Sequence, residues 1–600
     1  MSGRANQAFE DNQLDVIEEG RRKSEPIAYQ DANFYHKLTK SRTVNAINAY
    51  LSKHRKILKI VGIIILNLLF ISYIVFASIH WKKEQKDYND FQWCNGNGML
   101  LILAGLTYLG VFYFLIVKPY FGKYIIRCCR PATKSLERLQ TTKYGTCIGV
   151  TIIYLVVLIV IIAFLIVDTA DSRYRLISIL CIIVILGFGW LFSKHPGQVN
   201  WRPVICGLIL QFVFGIITLR WPVGRNIFEC LSGKVVTFLD YAKVGSSFVF
   251  SADLVDKGVF AFAVLPVIFF FSFTVQILCY LGIMQWIIMK LGWILQTIMG
   301  TTLCESLCAA ANPFIGMSES PLMIKPYIKQ LTSSELHAVL SSGFSTVSGT
   351  VFAAYISFGA KPAHLITSSI MSAPTSLAYS KLFYPETEQS STKSDNIKLE
   401  KSSDTSILDA ATNGALAAIP IILGIIANIV AFVSFIAFVN GILSWFGGLV
   451  GYDQLSLEII LAKVFMPLSW LMGVPWNHCE DVGTLIGLKT VVNELVAYQK
   501  MGEFKEQGRL FGRSEAIATF AICGFANPSS IGIQIGVFSS LAPEKKKEVT
   551  ECILRAFITG SAVCFLTASI AGMLLDDDSL LSTTAALNVT SEKTISINII

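Results

Sequence analysis

Charged side chains are scarce in this chain. Asp, Glu, Lys and Arg make up 15% of its 600 residues, against about 25% in a soluble globular domain. That deficit excludes a protein whose whole surface faces water. Paired CxxC motifs are absent, and the 14 Cys are scattered, many within apolar stretches, as Cys181, Cys206 and Cys279 are. A zinc module is excluded on that ground. HExxH and GxSxG are absent too, so the usual zinc and serine hydrolase signatures are missing. No cleavable signal peptide is expected. Residues 1–57 are mostly polar and mixed in charge, the composition of a disordered cytosolic tail. The net charge of +8 does not indicate nucleic acid, because Lys and Arg cluster beside apolar runs, as positive-inside loops do.

What is present is apolar: 53% of the chain is hydrophobic and 40 residues are Phe. About 20 apolar residues cross a bilayer as a helix. Clean candidates run over Ile60–Ile79, Met99–Val117, Thr146–Val167, Leu176–Phe192, Val204–Leu219 and Val259–Ile283. Further ones run over Leu336–Phe358, Ala415–Phe438, Ala516–Leu541 and Val549–Leu575. The expected fold class is an all-α polytopic membrane protein. Membrane helices are expected over 58–200, a core over 201–575 and a tail over 576–600.

Lys53, Arg55, Lys56 and Lys59 precede the first span, and a basic loop runs from Lys118 to Lys143. Both predict a cytosolic N-terminus. Lys545, Lys546 and Lys547 before the last span place the C-terminus outside. There Asn588-Val589-Thr590 forms a glycosylation sequon.

Near 301–330 and 461–500 the apolar runs are short and broken by Asn, Pro, Gly, Ser and carboxylates. Paired interrupted segments in corresponding halves point to a transporter site. Three stretches carry chemistry. The first is Asn312-Pro313-Phe314-Ile315-Gly316-Met317-Ser318-Glu319. A charge at mid-bilayer costs about 2.5–3.5 kcal/mol, so Glu319 is a functional candidate. Carbonyls freed by Pro and Gly, with the Asn312 amide, suit a hard cation. The alternative is a loop that happens to carry a Glu. The second is Gly487-Leu488-Lys489-Thr490-Val491-Val492-Asn493-Glu494, with Glu494 in an apolar run. The alternative is a helix end at the interface, marked by Lys489 and Glu494. The third is Gly524-Phe525-Ala526-Asn527-Pro528-Ser529-Ser530, which implies an unwound helix. Asn527 and Ser530 suit a neutral ligand rich in hydroxyls, although Ser and Asn also glue helices together in bilayers. Glu305 is a further buried-carboxylate candidate without a role. His195 and His337 are expected at solvated interface positions.

Together these stretches resemble the sodium-coupled concentrative nucleoside transporter family, animal branch. Val199-Asn200-Trp201-Arg202-Pro203, Phe248-Val249-Phe250, Ser372-Ala373-Pro374 and Lys381-Leu382 match it as well. The resemblance covers roughly 200–575 and implies a sodium–nucleoside symporter in the plasma membrane, not an enzyme. It implies two re-entrant hairpins, an inverted-repeat transport domain that slides like an elevator, and a homotrimeric scaffold. It implies that Gly316, Met317, Ser318, Glu319, Val351, Glu494, Phe525, Asn527 and Ser530 line the nucleoside site. Sodium is implied near Asn312, Ile315, Thr346 and Val347. The pair Gly316 and Met317, with Thr350 and Val351, resembles the purine-preferring type, with uridine also accepted. Gly316 is expected to leave space that Ser would fill. Pro313, Pro528 and Ser318 depart from the common pattern. A channel would leave the paired broken segments unexplained. An enzyme acting through Glu319 and Glu494 would lack a nucleophile or a metal cluster.

Overall fold

The structure is a computed structural model that describes residues 54–84, 93–121, 143–392 and 404–576. The expected tail before 54, most of the basic loop before Lys143, the middle of the loop joining the halves, and Asn588 lie outside the described residues. All regular structure among the described residues is helical. The chain divides into two compact units, 1–154 and 155–600. In the first, α1 (Arg55–Glu84) and α2 (Gly96–Phe112) are apolar helices. Tyr108 on α2 donates to the Asn67 side chain on α1 at 3.1 Å.

After α3 (Lys143–Asp168), the larger unit holds α4 (Ile177–Leu191), α5 (Trp201–Gly215), α6 (Pro222–Asp240), α7 (Val267–Tyr280) and α8 (Ile283–Met299). A hairpin follows. Its first arm is α9 (Leu303–Ile315) and its second is a 3-10 helix, Ser320–Gln330. At about 1.5 Å per residue, a 13-residue arm is roughly 20 Å long, too short for a hydrocarbon core of about 30 Å. Next comes a helix broken in the middle. It is α10 (Ser333–Ser345), an extended step at Thr346, and then α11 (Phe352–Ser357).

After α12 (Pro362–Phe383), α13 (Ile407–Gly448) and α14 (Leu457–Leu471), the same order recurs. A second hairpin is formed by α15 (Cys479–Val491) and α16 (Glu494–Glu506). A second broken helix is formed by α17 (Gly512–Ile522) and α18 (Pro528–Leu541). The last helix, α19 (Lys546–Leu574), is partly exposed in its first half and almost wholly buried among them from Thr559 onward.

Several expectations are corrected. The span over Leu336–Phe358 is interrupted after Ser345. The second hairpin begins at Cys479, because Leu461–Leu471 belongs to α14, which packs against it. Polar positions in α8 and the Ser-rich face of α12 hid both helices from a hydropathy reading; α12 is buried along most of its length. His337 is fully buried rather than solvated, its ring nitrogen 2.7 Å from the Ser380 hydroxyl.

Glu305 finds its role at the base of the first hairpin. It closes a capping box, accepting from the Thr302 N–H at 2.7 Å. It also pairs with Lys381 of α12 at 2.8 Å, both side chains buried. Lys381 donates onward to Ser334 and Glu386 at 3.1 and 3.3 Å. This network fastens the hairpin base and the start of α10 to the end of α12.

Candidate functional site

The two hairpin tips and the two helix breaks converge on one cavity of about 330 Å³. From the first hairpin it receives Gly316, Met317, Ser318 and Glu319; from the first break, Ser348, Thr350 and Val351. The second hairpin adds Asn493, Glu494 and Leu495, and the second break adds Phe525, Ser529, Ser530 and Ile533. Of the nine residues expected at a ligand site, eight line this space. The ninth, Asn527, stands directly behind Glu494.

Local chain chemistry explains each break. Helix α9 stops at Gly316, whose φ of +88° suits glycine. Ser348 caps the next turn by accepting from the Thr350 N–H at 3.2 Å, and its hydroxyl lies 2.7 Å from that of Thr350. Asn493 caps α16 by accepting from Val496 N–H at 2.9 Å. Asn527 caps α18, accepting from the N–H of Ser530 at 2.9 Å and from the Ser529 hydroxyl at 2.6 Å. Such caps satisfy the orphan donors of a helix start. Pro528 sits at the first helical position, where no N–H is needed.

Glu494 is the first residue of α16 and stands beside the start of α18. Helix N-termini carry partial positive charge and favour a carboxylate there. The Asn527 side-chain amide donates to Glu494 Oε2 at 2.5 Å. Lys489, in the last turn of α15, is fully buried, and its ammonium has no hydrogen-bond partner among the described residues. It stands 5.8 Å from the centre of the Phe565 ring. Lys489 and Glu494 thus stand at helix ends, as the alternative had it, with Lys489 buried rather than exposed.

The expected cation residues lie just behind the first tip. Asn312 donates to the Ser342 hydroxyl at 2.8 Å and accepts from the Ser320 hydroxyl at 2.5 Å. The Thr346 hydroxyl donates to the Ser342 carbonyl at 2.8 Å. Ile315 and Val347 are buried beside them. Because α10 ends at Ser345, its final carbonyls have no later helical N–H to accept from. Asn312 and Thr346 offer oxygen from side chain and backbone, and the other two offer backbone oxygen alone.

Gly316 differs from expectation in one respect. A Cβ there would lie 2.8 Å from Ser348 Oγ and 3.2 Å from Glu319 Oε2, so the glycine is a close backbone approach rather than spare room. Sequence reasoning also missed a whole wall. Pro420, Ile421, Gly424, Ile425 and Asn428 of α13 close the cavity. The signal was present as positions 421, 424, 425 and 428, which share one helical face.

The profile "Na+ dependent nucleoside transporter N-terminus" matches residues 180–253, and "Nucleoside recognition" matches 261–362. "Na+ dependent nucleoside transporter C-terminus" matches 364–572. Solute carrier family 28 member 3 of Eptatretus stoutii is 44% identical over 496 residues, covering 79% of this chain and 71% of its own. Sodium/nucleoside cotransporter 1 of Oryctolagus cuniculus is 39% identical over 568 residues, covering 92% and 81%. Sodium/nucleoside cotransporter 2 of Rattus norvegicus is 41% identical over 493 residues, covering 79% and 73%. The solved structure of CNTnw in an inward-facing substrate-bound state superimposes with a TM-score of 0.64 at 36% identity. It covers 67% of this chain and 98% of its own. A doubly substituted variant of CNTnw in an outward-facing state gives a TM-score of 0.63 at 36% identity, covering 67% and 97%.

Proposed function

The chain belongs to the Na+-dependent nucleoside transporter family, and from that premise we propose how its own residues divide the work. It is a membrane transporter rather than an enzyme, and sodium travels with the nucleoside. Gly316, Met317, Ser318, Glu319, Val351, Glu494, Phe525 and Ser530 hold the nucleoside in the shared cavity, and Asn527 orients Glu494. Carboxylates accept from ribose hydroxyls, and Val351, Phe525 and Met317 pack on the base. Sodium sits behind the first tip on oxygens of Asn312, Ile315, Thr346 and Val347. Both hairpins and both broken helices, with α12 and α19 packed against them, move as one body past a scaffold of other helices, an elevator in a homotrimer. The protein works in the plasma membrane with its N-terminus cytosolic, its C-terminus outside and Asn588 glycosylated.

The observation that carries this reading is the cavity itself. Two carboxylates, the buried Glu494 and the half-buried Glu319, each beside a hairpin tip, face one space. Buried charge at membrane depth is costly and marks function. One charge falling through 100 mV releases about 2.3 kcal/mol, and each 1.4 kcal/mol is a tenfold gradient. Radiolabelled nucleoside uptake in a cell without its own carriers tests the coupling. Uptake should collapse when choline replaces sodium; equal uptake in both salts would overturn it.

Purine nucleosides are preferred, with uridine accepted. Met317 cannot exchange hydrogen bonds with the amide edge of a pyrimidine, but its polarizable thioether packs on a larger ring. A pyrimidine edge left unpaired loses about 1–3 kcal/mol per group. Inosine, guanosine and adenosine should therefore outcompete cytidine and thymidine; equal inhibition by all five would remove the purine preference and leave the family intact.

A further inference from the structure

Gln534 belongs to none of the stretches that the sequence singles out. It lies on α18, one turn after Ser530 and next to Ile533, both of which line the cavity. Its side chain is 1% exposed, and its Oε1 has no hydrogen-bond partner among the described residues. Opposite it on α10 is Gly343. A Cβ on that glycine would stand 2.5 Å from Gln534 Nε2 and 2.9 Å from the Met317 Cβ. The amide, the glycine and the base of the Met317 side chain thus meet at one point. Met317 lines the cavity and Gln534 does not, and Met, with its unbranched flexible side chain, adapts readily to what packs on it.

We propose that Gln534 is a specificity-determining residue, the polar partner for the far edge of a purine base. This rests on the cavity being the nucleoside site. A buried amide that glued α18 to α10 would be hydrogen-bonded across the helices, because buried polar groups in native structures are almost always paired. The Gln534 carbonyl is not, so its donor comes from elsewhere. A purine supplies one: the ring N–H of inosine and guanosine, or the exocyclic amine of adenosine and guanosine. The amide N–H in turn suits a purine ring nitrogen or carbonyl oxygen. A pyrimidine, one ring shorter, ends against Met317. Selectivity then has two parts, a thioether that packs on the base and an amide beyond it that rewards the longer ring system.

The test uses the full chain and nucleoside competition, with surface protein measured by biotinylation. Gln534→Met keeps the volume and removes the amide. It should lower the ratio of inosine to cytidine inhibition about tenfold, the loss of one hydrogen bond. Gly343→Ala keeps the amide but pushes it aside, and should shift the same ratio in the same direction. Glu494→Gln is measured in parallel. If Glu494→Gln cripples uptake while both other variants scale every nucleoside equally, Gln534 is structural and the proposal fails. If Glu494→Gln leaves uptake intact, the cavity reading itself fails. A ratio shift in Gln534→Met with unchanged sodium activation supports the proposal.

Discussion

The contact between Asn527 and Glu494 can be split into its parts by one substitution. Asn527 does two jobs. Its Oδ1 caps α18, and its Nδ2 donates to Glu494 at 2.5 Å. Asp caps a helix as well as Asn does, so Asn527→Asp keeps the first job and reverses the second. It sets a carboxylate against a carboxylate. Two like charges about 4 Å apart at an effective dielectric of about 20 repel by about 4 kcal/mol. That corresponds to roughly a thousandfold. Asn527→Ala loses both jobs, about 1.5–3 kcal/mol for the hydrogen bond to a charged group and about 1 kcal/mol of helix stability for the cap, of which only the first acts on the carboxylate. Asn527→Asp should therefore reduce kcat/KM for sodium-driven uptake to background, well below Asn527→Ala. Adding Glu494→Gln restores a donor facing an acceptor with the roles exchanged. The double variant should recover at least about tenfold over Asn527→Asp, roughly 1.4 kcal/mol; with Glu494→Gln alone costing about 1.5–3 kcal/mol, the coupling energy is about 3–4 kcal/mol in magnitude. Uptake is measured at matched surface protein. Near-normal transport by Asn527→Asp, or a double variant no better than it, would refute the argument that the amide serves the carboxylate.

The remaining predictions follow from the same geometry. Glu319→Gln and Glu494→Gln should each weaken uptake by about 1.5–3 kcal/mol, the loss of a charged acceptor, while both variants still reach the surface; normal kinetics in both would misplace the site. Met317→Gln should widen uptake toward cytidine and thymidine, as read by competition against uridine. Lys381→Met leaves Glu305 buried without its cation, a loss of about 3–5 kcal/mol; surface protein and thermal stability should fall, while the protein that remains keeps its selectivity. Gly316→Ala imposes a side chain at φ +88° against Ser348, a strain of about 1–3 kcal/mol; uptake should drop for all nucleosides, and wild-type kinetics would show that the tip relaxes freely.

Much of this was legible in the sequence because burial in a bilayer is costly for polar groups. The shortage of charge, the apolar runs and the two interrupted stretches pointed to the fold class and to the places where the chain breaks. What stayed hidden depended on contacts between distant residues. Glu305 read only as a buried carboxylate without a role until Lys381 of α12 was found against it. Leu461–Leu471 looked like part of a hairpin because it is short and apolar, yet it is a separate helix. The α13 wall was masked because Ala415–Phe438 read only as a long apolar span. Gln534 carries no motif, and its meaning comes only from Gly343 and Met317 across the packing.

The site was more legible than the scaffold for a physical reason. A helix broken inside the membrane leaves N–H groups at the new helix start, and something must satisfy them. Here Ser348, Asn493 and Asn527 do so from their own side chains. These three residues also line or back the cavity. The residues that make the breaks tolerable are thus the ones that place polar groups around the cavity. Asn527 is the clearest case, since one amide caps α18 with its oxygen and fixes Glu494 with its nitrogen. A polar residue beside Pro or Gly in an apolar run therefore signals fold and site together. Lys381 and Glu305 satisfy each other at the hairpin base instead, and contribute stiffness without facing the cavity. The difference lies in whether the partner is backbone nearby or a side chain far along the chain. Only the first kind can be seen before the chain is folded.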